Sequence, residues 1–217
     1  MISFCIGVKN RWRWLERSLL SLGIARGQEE IEVILVDYDS DDVDDLFSSA
    51  KVILKEIPLT VIHAEGYFAK SKAHNKAVEG ANGDILFFSD TDIWYPRKFA
   101  WVVKNWTCSE RDAFFPIVRF LDKDSGLCED APGFDAIHSF GMCGISRENF
   151  EKVGPWDESV KGGGGEDRLF HQACVDEGLY VHRFLVPGLF HLWHPRDWQW
   201  KEQHHEPGER YLEGARH

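Results

Sequence analysis

Apolar and polar positions alternate between two repeats along the first 90 residues. The run 2–8 (ISFCIGV) is continuously β-type, which predicts a buried strand. Leu15, Leu19 and Leu22 then recur with the spacing of one helix face. A second buried strand is predicted over 32–36 (EVILV), ending beside Asp37. The pattern therefore begins as strand, amphipathic helix, strand.

The same alternation continues to residue 89. Asp41 or Asp42 is predicted to cap a short helix with an acidic first turn. The following segments are predicted, in order, as a strand over 59–63, a helix over 71–79 and a strand over 84–89. A βαβαβαβ order favours a mostly parallel sheet with helices on both faces. Ligands of such sheets bind beyond the carboxyl ends of the strands, where Asp37 and Asp90 stand.

The second half mixes shorter elements. Pro96 suits the first turn of a helix, and the apolar spacing after it supports one there. The remaining predicted elements are strands over 113–120 and 179–185 and helices over 147–153 and 167–177. The segment 198–217 reads as a polar tail, and no repeat or linker is visible. We expect one domain of 217 residues.

Composition narrows the function classes. A formal net charge of −11 disfavours nucleic acid as a partner. The longest apolar runs fall far short of the ~20 residues that cross a bilayer, and no basic leader precedes the first strand, so we expect a cytoplasmic protein without an integral membrane segment. Five scattered cysteines without a CxxC pair predict reduced thiols packed as small hydrophobes.

The sharpest candidate chemistry is the pair Asp90 and Asp92, placed directly after an apolar strand. Two carboxylates at this spacing project from the same side of an extended segment. They suit Mg²⁺ or Mn²⁺, which must keep coordination positions open for phosphate oxygens. The alternative is an Asx turn with solvated acids. Lys70, Lys72 and Asn75 precede this strand on a helix start, where the alternative is a solvated helix face.

Two later motifs also carry candidate chemistry. Four glycines precede Glu166 and Asp167 at a helix start, which favours either close approach to a ligand or a flexible turn. His191 and His194 follow a predicted strand, and either imidazole could complete a metal site begun by Asp92. The alternative for His191 and His194 is a packed or surface histidine.

Six ordered motifs together resemble GT-A glycosyltransferases of the family-2 type. They are the opening strand with Asn10-Arg11, EVILVDYDS at 32–40, AKSKAHNKA at 69–77, the stretch 83–92, FEKVGPWDE at 150–158 and GGED at 164–167. The C-terminal half is similar to the galactosyltransferase and N-acetylgalactosaminyltransferase branch. The resemblance spans about residues 2–194 and implies a GT-A, Rossmann-like sheet flanked by helices.

The resemblance implies roles residue by residue. The implied nucleotide-binding residues are Gly7, Val8, Asp37, Lys72, Asn75 and Asp90. Tyr38 replaces the family's second acid, so the contact to the base shifts either to Asp39 or to the tyrosine ring. The implied metal ligands are Asp92, His191 and Asp90, with His194 in reserve. Asp167 corresponds to the general base, and Glu166 is implied to bind hydroxyl groups of the donor or acceptor. Gly163 replaces the tryptophan that commonly precedes the family's GGED motif.

The implied activity is transfer of a sugar from a nucleotide-sugar to a glycan hydroxyl. The implied donor is a UDP-sugar, with UDP-galactose or UDP-N-acetylgalactosamine favoured, the cofactor is Mn²⁺ or Mg²⁺, and the acceptor is a glycan or glycolipid. We expect an inverting enzyme of polysaccharide biosynthesis. A retaining transferase and a non-catalytic nucleotide- or sugar-binding module are the alternatives. Residues 1–92 form the expected nucleotide-sugar half, and residues 93–197 the acceptor half.

Overall fold

The computed structural model describes residues 1–160 and 165–195. The first half alternates strands and helices as predicted. Its elements are β1 (Ile2–Val8), α1 (Trp12–Ala25), β2 (Ile31–Asp37), α2 (Leu46–Leu54), β3 (Leu59–His63), α3 (Lys70–Gly80) and β4 (Ile85–Ser89). The second half contributes β5 (Ile93–Trp94), α4 (Phe99–Asn105), β6 (Asp112–Phe114), β7 (Ile117–Leu121), β8 (Gly133–Asp135), β9 (Cys143–Ser146), α5 (Arg147–Val153), α6 (Glu166–Asp176), β10 (Tyr180–His182) and β11 (Leu185–His191).

These strands form two sheets. The larger sheet has seven strands in the order β10-β6-β9-β4-β1-β2-β3. Strand β1 pairs in parallel with both β2 and β4, and β2 pairs in parallel with β3. Strand β9 is antiparallel to its neighbours β4 and β6. The predicted mostly parallel α/β sheet is confirmed. A smaller sheet has the order β5-β11-β7-β8.

Helices cover both faces of the large sheet, as predicted. Successive strand residues point to opposite faces, so Phe4 and Cys5 of β1 belong to different apolar cores. The first core includes Leu15, Leu19 and Leu22 of α1, all fully buried. The second core includes residues of α3, α5 and α6. The sheet therefore lies between two helical layers, with the carboxyl ends of its parallel strands left at one edge.

Gly7 allows α3 to approach that edge closely. A Cβ atom on Gly7 would lie 2.6 Å from the Ala73 Cβ and 2.9 Å from the Phe68 ring. Contacts this short force backbone or side chains apart, so only glycine fits this position. The start of α3 is thereby held against the end of β1.

Two predicted strands are wrong in their extent, because each is split between the two sheets. The predicted strand 113–120 divides at residues 115–116 into β6 in the large sheet and β7 in the small one. The predicted strand 179–185 divides in the same way into β10 and β11. Pro116 interrupts the first. Phe115 N donates to the His182 carbonyl oxygen, and Ile117 N donates to that of Phe184. The two segments therefore run side by side as they pass from the large sheet to the small one.

The predicted helix starts also need correction. Asp45, rather than Asp41 or Asp42, caps α2 by accepting a hydrogen bond from the Ser48 amide. The first turn of α2 carries no acidic residue. Helix α4 begins at Phe99 rather than near Pro96, because Lys98 adopts a left-handed backbone conformation with φ of 63°.

Three cysteines, Cys5, Cys143 and Cys174, are buried free thiols, as expected. The expectation of packing is wrong for Cys108 and Cys128, which are exposed. Among the residues described, no helix is both long enough and apolar enough to cross a membrane. The predicted polar tail and glycines 162–164 lie outside the described residues.

Candidate active site

Carboxylates gather at the edge of the sheet where its parallel strands end. Asp37 is the last residue of β2, and Asp90 and Asp92 follow β4. Since β1 lies between β2 and β4, these acids border the same edge. The small sheet adds residues from the other end of the chain through β11.

Asp92, His191 and His194 form the tightest cluster at this edge. One ligand atom from each residue can be chosen so that all three atoms lie within 4.8 Å of one another. His191 Nε2 lies 3.3 Å from Asp92 Oδ1, and His194 Nε2 lies 3.2 Å from Asp92 Oδ2. Both histidines implied by the resemblance, the first choice and the reserve, therefore meet the same carboxylate.

Strand pairing explains why residues a hundred positions apart meet here. Strand β5 follows Asp92 directly and pairs antiparallel with β11, with His191 opposite Ile93. The Leu192 amide extends this pairing by donating to the Asp92 carbonyl oxygen at 2.7 Å. The His191 ring stacks on Phe120 of β7, with ring centroids 4.0 Å apart. Backbone pairing and stacking thus fix one imidazole before any ligand binds.

The charges around Asp92 favour its ionised form. Burial alone would raise the pKa of Asp92, but His191, His194 and Arg11 outweigh burial and hold this pKa well below its usual range. The hydrogen bond to Asp92 in turn raises the pKa of His194. The carboxylate is thus an available anion at neutral pH, although it is only 7% exposed.

The donor set fits a divalent metal ion. In the described part of the chain, the buried Oδ1 atom of Asp92 has no hydrogen-bond partner. His194 Nδ1 lies 3.0 Å from the Pro195 carbonyl oxygen. A hydrogen bond there keeps a proton on Nδ1, so that loss of the Nε2 proton would present the Nε2 lone pair to a metal ion, which is the usual support of a metal-binding histidine. One carboxylate and two imidazoles suit Mn²⁺ and similar ions.

A second polar cluster surrounds Lys70, the first residue of α3. Its Nζ atom lies 2.5 Å from Asp90 Oδ1. Burial alone would lower the pKa of Lys70, but Asp90, Glu166 and Asp167 together raise it. Lys70 is therefore a buried cation among three acids. Asp90 is thus engaged by Lys70 and lies outside the group formed by Asp92 and the histidines.

The backbone of residues 139–141 joins Asp167 to this cluster. The Phe140 amide donates to Asp167 Oδ2 at 3.3 Å. A Cβ atom on Gly141 would lie 3.0 Å from Lys70 Nζ and 3.2 Å from Asp90 Oδ2. Asp167 lies in the first turn of α6, beside the buried Glu166. Continuous contacts thus connect Asp90 to the acids of α6.

Asp37 occupies a separate position toward the β3 edge. Its buried carboxylate accepts a hydrogen bond from the Ser40 amide at 3.1 Å and lies 3.8 Å from His63 Nδ1. An open cavity of about 360 Å³ borders Asp37, Asp39 and His63. Lys9 Nζ donates to the carbonyl oxygen of Asp39, which adopts a positive φ of 52°. Asp44 and Asp45 also line this cavity, so acidic side chains make up much of its polar surface.

Other residues of the implied nucleotide set make internal contacts. Lys72 Nζ lies 3.2 Å from the Tyr67 hydroxyl and 4.3 Å from the centre of its ring. The Asn75 amide bonds the backbone of Trp156 on both sides, and also Glu158. Val8 is fully buried. The structure thus places Asn75 as a brace between α3 and residues 156–158.

The sequence marked Lys70 only as a candidate beside Lys72, and it gave Arg11 no separate role. Residues two apart on a helix are rotated by about 200°, so Lys70 faces Asp90 while Lys72 faces Tyr67. The sequence offered both lysines, and only the direction of α3 decides between them. Arg11 appeared only as part of a motif, yet its charge reaches Asp92.

Fold and site together are those expected of an α/β domain that binds a nucleotide-sugar. The sequence model of glycosyl transferase family 2 matches residues 3–129. This chain belongs to glycosyl transferase family 2. The prediction of a family-2 glycosyltransferase from the six motifs is therefore confirmed at the level of the family.

Two curated relatives carry names of N-acetylgalactosaminyltransferases. A mouse protein named N-acetyl-beta-glucosaminyl-glycoprotein 4-beta-N-acetylgalactosaminyltransferase 1 is 26% identical over 208 residues, covering 92% of this chain and 20% of the relative. Human chondroitin sulfate N-acetylgalactosaminyltransferase 1 is 30% identical over 155 residues, covering 63% and 29%. The chain spans under a third of either relative. The predicted likeness to this branch is confirmed.

Solved structures show the same fold. Residues 1–349 of Staphylococcus aureus TarS in complex with UDP-GlcNAc match with a TM-score of 0.66 and 15% identity, covering 90% of this chain and 59% of that one. The Pyrobaculum calidifontis mannosyltransferase PcManGT in complex with GDP-Man and Mn²⁺ matches with a TM-score of 0.64 and 15% identity, covering 86% and 56%. The predicted GT-A fold is confirmed.

Proposed function

We propose that this chain is the catalytic domain of a metal-dependent glycosyltransferase that moves a sugar from a UDP-sugar to a hydroxyl of a glycan. The observation that carries the proposal is the convergence of Asp92, His191 and His194 at the edge of the sheet. N-acetylgalactosamine is the favoured sugar, because both named relatives transfer it by their printed names. Residues 1–92 form the donor half in this proposal, and 93–197 the acceptor half.

Two groups of residues bind different parts of the donor. The cavity beside Asp37 and Asp39 accepts the nucleoside. Gly7 and Val8 end the neighbouring strand β1, and in this proposal their backbone contacts the base. Lys70 and Asp90 lie further along the same edge, toward β4. Asp90 faces the ribose, and the adjacent cation of Lys70 compensates the negative charge of a diphosphate. Lys72, whose Nζ atom contacts the Tyr67 hydroxyl, adds positive charge near this position.

Asp92, His191 and His194 hold the metal ion. When bound, Mn²⁺ or Mg²⁺ neutralises negative charge on the departing diphosphate. The low pKa of Asp92 keeps the carboxylate ionised for this task. Stacking of His191 on Phe120 and the contact of His194 with Pro195 preset the two imidazoles, so little reorganisation accompanies binding.

Asp167 acts as the general base of an inverting transfer. It takes the proton of the acceptor hydroxyl as that oxygen forms its bond to the anomeric carbon, while the bond from that carbon to the diphosphate oxygen breaks. The Phe140 amide holds one oxygen of Asp167 and the Arg168 amide holds the other, which orients the carboxylate. Glu166 binds sugar hydroxyls beside it. Such a base contributes ~10²–10⁴-fold to rate.

The test combines binding and transfer. UDP affinity is measured by calorimetry with Mn²⁺ and with chelator, and transfer is measured with a panel of UDP-sugars and glycan acceptors. We expect UDP binding to require the metal, UDP-N-acetylgalactosamine to be the best donor, and NMR of the product to show an inverted anomer. Metal-independent UDP binding would refute the proposed centre, and a retained anomer would refute the role of Asp167.

A further inference from the structure

Arg183 holds the backbone of a segment that lies beside the proposed base. It lies in the two-residue link between β10 and β11. Its Nη2 atom donates to the carbonyl oxygens of Ile137 and Ser139, at 2.5 and 2.7 Å. Its guanidinium carbon lies 4.1 Å from the centre of the Phe140 ring. Nη2 also donates to the Ala136 carbonyl oxygen at 3.4 Å. One side chain thus fixes residues 136–140 by three hydrogen bonds and a cation–π contact.

Helix α6 supports the same segment. The Phe140 ring packs against His171 of α6, with ring centroids 4.2 Å apart, and His171 packs in turn on Phe115. Helix α6 also carries Asp167 in its first turn. The segment and the helix that bears the proposed base are therefore held in one assembly, with Arg183 on the sheet side.

The segment presents backbone to both polar clusters of the site. The Phe140 amide donates to Asp167, and Gly141 lies against Lys70 and Asp90. There is no room at Gly141 for a Cβ atom without displacing one of these groups. A shift of the segment by a fraction of an ångström therefore moves the orientation of Asp167 and the space around the Lys70 and Asp90 pair.

Burial and the charge of Asp167 act in opposite directions on the pKa of the Arg183 guanidinium. Burial lowers the pKa of Arg183, and the negative charge of Asp167 opposes that effect. Within residues 1–160 and 165–195, the buried Nη1 atom has no hydrogen-bond partner. The hydrogen bonds of the side chain are thus concentrated on the segment, through Nη2.

We propose that Arg183 is a positioning residue for sugar transfer: it clamps residues 136–141 and thereby fixes Asp167 against the Phe140 amide. This inference rests on the proposed function, in which Asp167 accepts the proton of the acceptor hydroxyl. Arg183 itself does not touch the reacting atoms. Its loss therefore affects turnover through the placement of Asp167 and leaves the nucleoside cavity beside Asp37 intact.

The test compares Arg183→Met and Arg183→Lys with Arg147→Met. Arg147 is a matched control, because it also clamps backbone, donating to the carbonyl oxygens of Ala81 and Gly83 at 2.8 and 3.2 Å. Those residues precede β4, at the end of the sheet away from Asp90. Each protein is measured by amide hydrogen exchange of peptides covering 136–141, by thermal unfolding, and by kcat and KM with a UDP-sugar donor.

We expect Arg183→Met to speed exchange in 136–141 and to lower kcat by about 10- to 100-fold, while the donor KM changes by less than about 3-fold. Arg183→Lys falls between, because one ammonium replaces part of the clamp but lacks the planar stack. Arg147→Met leaves both exchange in 136–141 and kcat near wild type. If Arg183→Met does not fold, Arg183→Lys carries the comparison.

Two results would overturn the inference. One is unchanged exchange in 136–141, and the other is faster exchange with kcat unchanged or with donor KM rising in parallel. Absence of transfer by the wild-type protein with every UDP-sugar would count against the proposed function instead. The exchange measurement would still decide in that case whether Arg183 clamps the segment, so the two failures are distinguishable.

Discussion

Lys70 Nζ lies 2.5 Å from Asp90 Oδ1, which joins the first residue of α3 to the residue that follows β4. The charge of Lys70 also reaches Glu166 and Asp167 of α6. Without this cation, three acids would share one partly buried region. In the proposed function, the pair therefore determines how much negative charge the diphosphate of the donor meets.

Replacing Lys70 by Gln should weaken UDP binding by about 10-fold or more, since hydrogen bonds to charged groups contribute ~1.5–3 kcal/mol. The reason is that Asp90, Glu166 and Asp167 would repel the diphosphate without compensation. Titration calorimetry with UDP and Mn²⁺ measures the effect. Lys76→Gln is the control, because Lys76 pairs with Glu79 on the outer side of the same helix. Equal affinities for the two variants would contradict the role of Lys70.

Removing either histidine of the metal centre should weaken Mn²⁺ binding. Loss of a supporting group around a metal already costs 10–100-fold in affinity, so we expect at least about 100-fold for His191→Ala or His194→Ala. Asp92→Asn should have a similar effect and should abolish the metal dependence of UDP binding. Mn²⁺ titration followed by electron paramagnetic resonance measures the affinity.

His182→Gln is the matched control for the metal variants. His182 also pairs with a carboxylate, that of Asp112 at 2.8 Å, but this pair lies at the β6–β10 edge. Its replacement should leave Mn²⁺ affinity within about 2-fold of wild type, because it adds no ligand to the centre. A similar loss in the control and in His194→Ala would mean that the losses report general destabilisation.

Asp167→Asn should separate turnover from binding. We expect kcat to fall by ~10²–10⁴-fold, because the amide cannot accept the acceptor's proton. The affinity for UDP should change little, because the side chain contacts the Phe140 and Arg168 amides rather than the cavity beside Asp37. Steady-state kinetics and calorimetry give the two quantities. Asp176→Asn, at the other end of α6, is the control. Parallel loss of UDP affinity in Asp167→Asn would show a role in donor binding.

His74 should make the protein less stable below neutral pH. Its ring is buried between Phe88 and Trp156, and burial, aided by the charge of Lys70, holds the pKa of His74 well below 6.5. The unfolded chain binds a proton near pH 6.5 while the folded chain does not, so unfolding is favoured as pH falls below about 6.5. Above that pH, His74 is neutral in both states and costs no stability. Below it, the free energy of unfolding falls by up to ~1.4 kcal/mol per pH unit.

His74→Phe isolates this proton. Urea unfolding of the metal-free wild type and variant at pH 5, 6 and 7 should show a steeper loss of stability in the wild type, with the difference close to one proton. Other histidines titrate equally in both proteins and cancel in the comparison. Identical pH slopes would mean that His74 takes up a proton in the folded protein.

Several features of the fold were predictable because a single local rule decides them. Leu15, Leu19 and Leu22 define one helix face, and all three are fully buried. The strand over 113–120 was predicted wrongly because apolar residues continue through a crossing between two sheets. Strand residues are apolar in both sheets, so hydrophobicity does not reveal that the chain passes from the large sheet to the small one at residues 115–116.

The site was predictable in part for the same reason. Asp92 and His191 could be nominated from their residue types, but their meeting depends on the pairing of Ile93 with His191, which is a non-local contact. The choice between Lys70 and Lys72 depends on how α3 is rotated against β1, where Gly7 permits the close approach. Arg183 had no signal, because its partners are backbone carbonyl groups, which every residue has.

The two-residue strand β5 has a consequence for biogenesis. Its pairing with β11 is what unites Asp92 with His191. The proposed metal-binding trio, which ends at His194, therefore forms only after 102 further residues have been synthesised and the small sheet has closed. A nascent or truncated chain that ends before β11 has strands β1 to β4 and lacks both imidazoles. Binding of an ion would then stabilise only those chains whose synthesis is complete through His194.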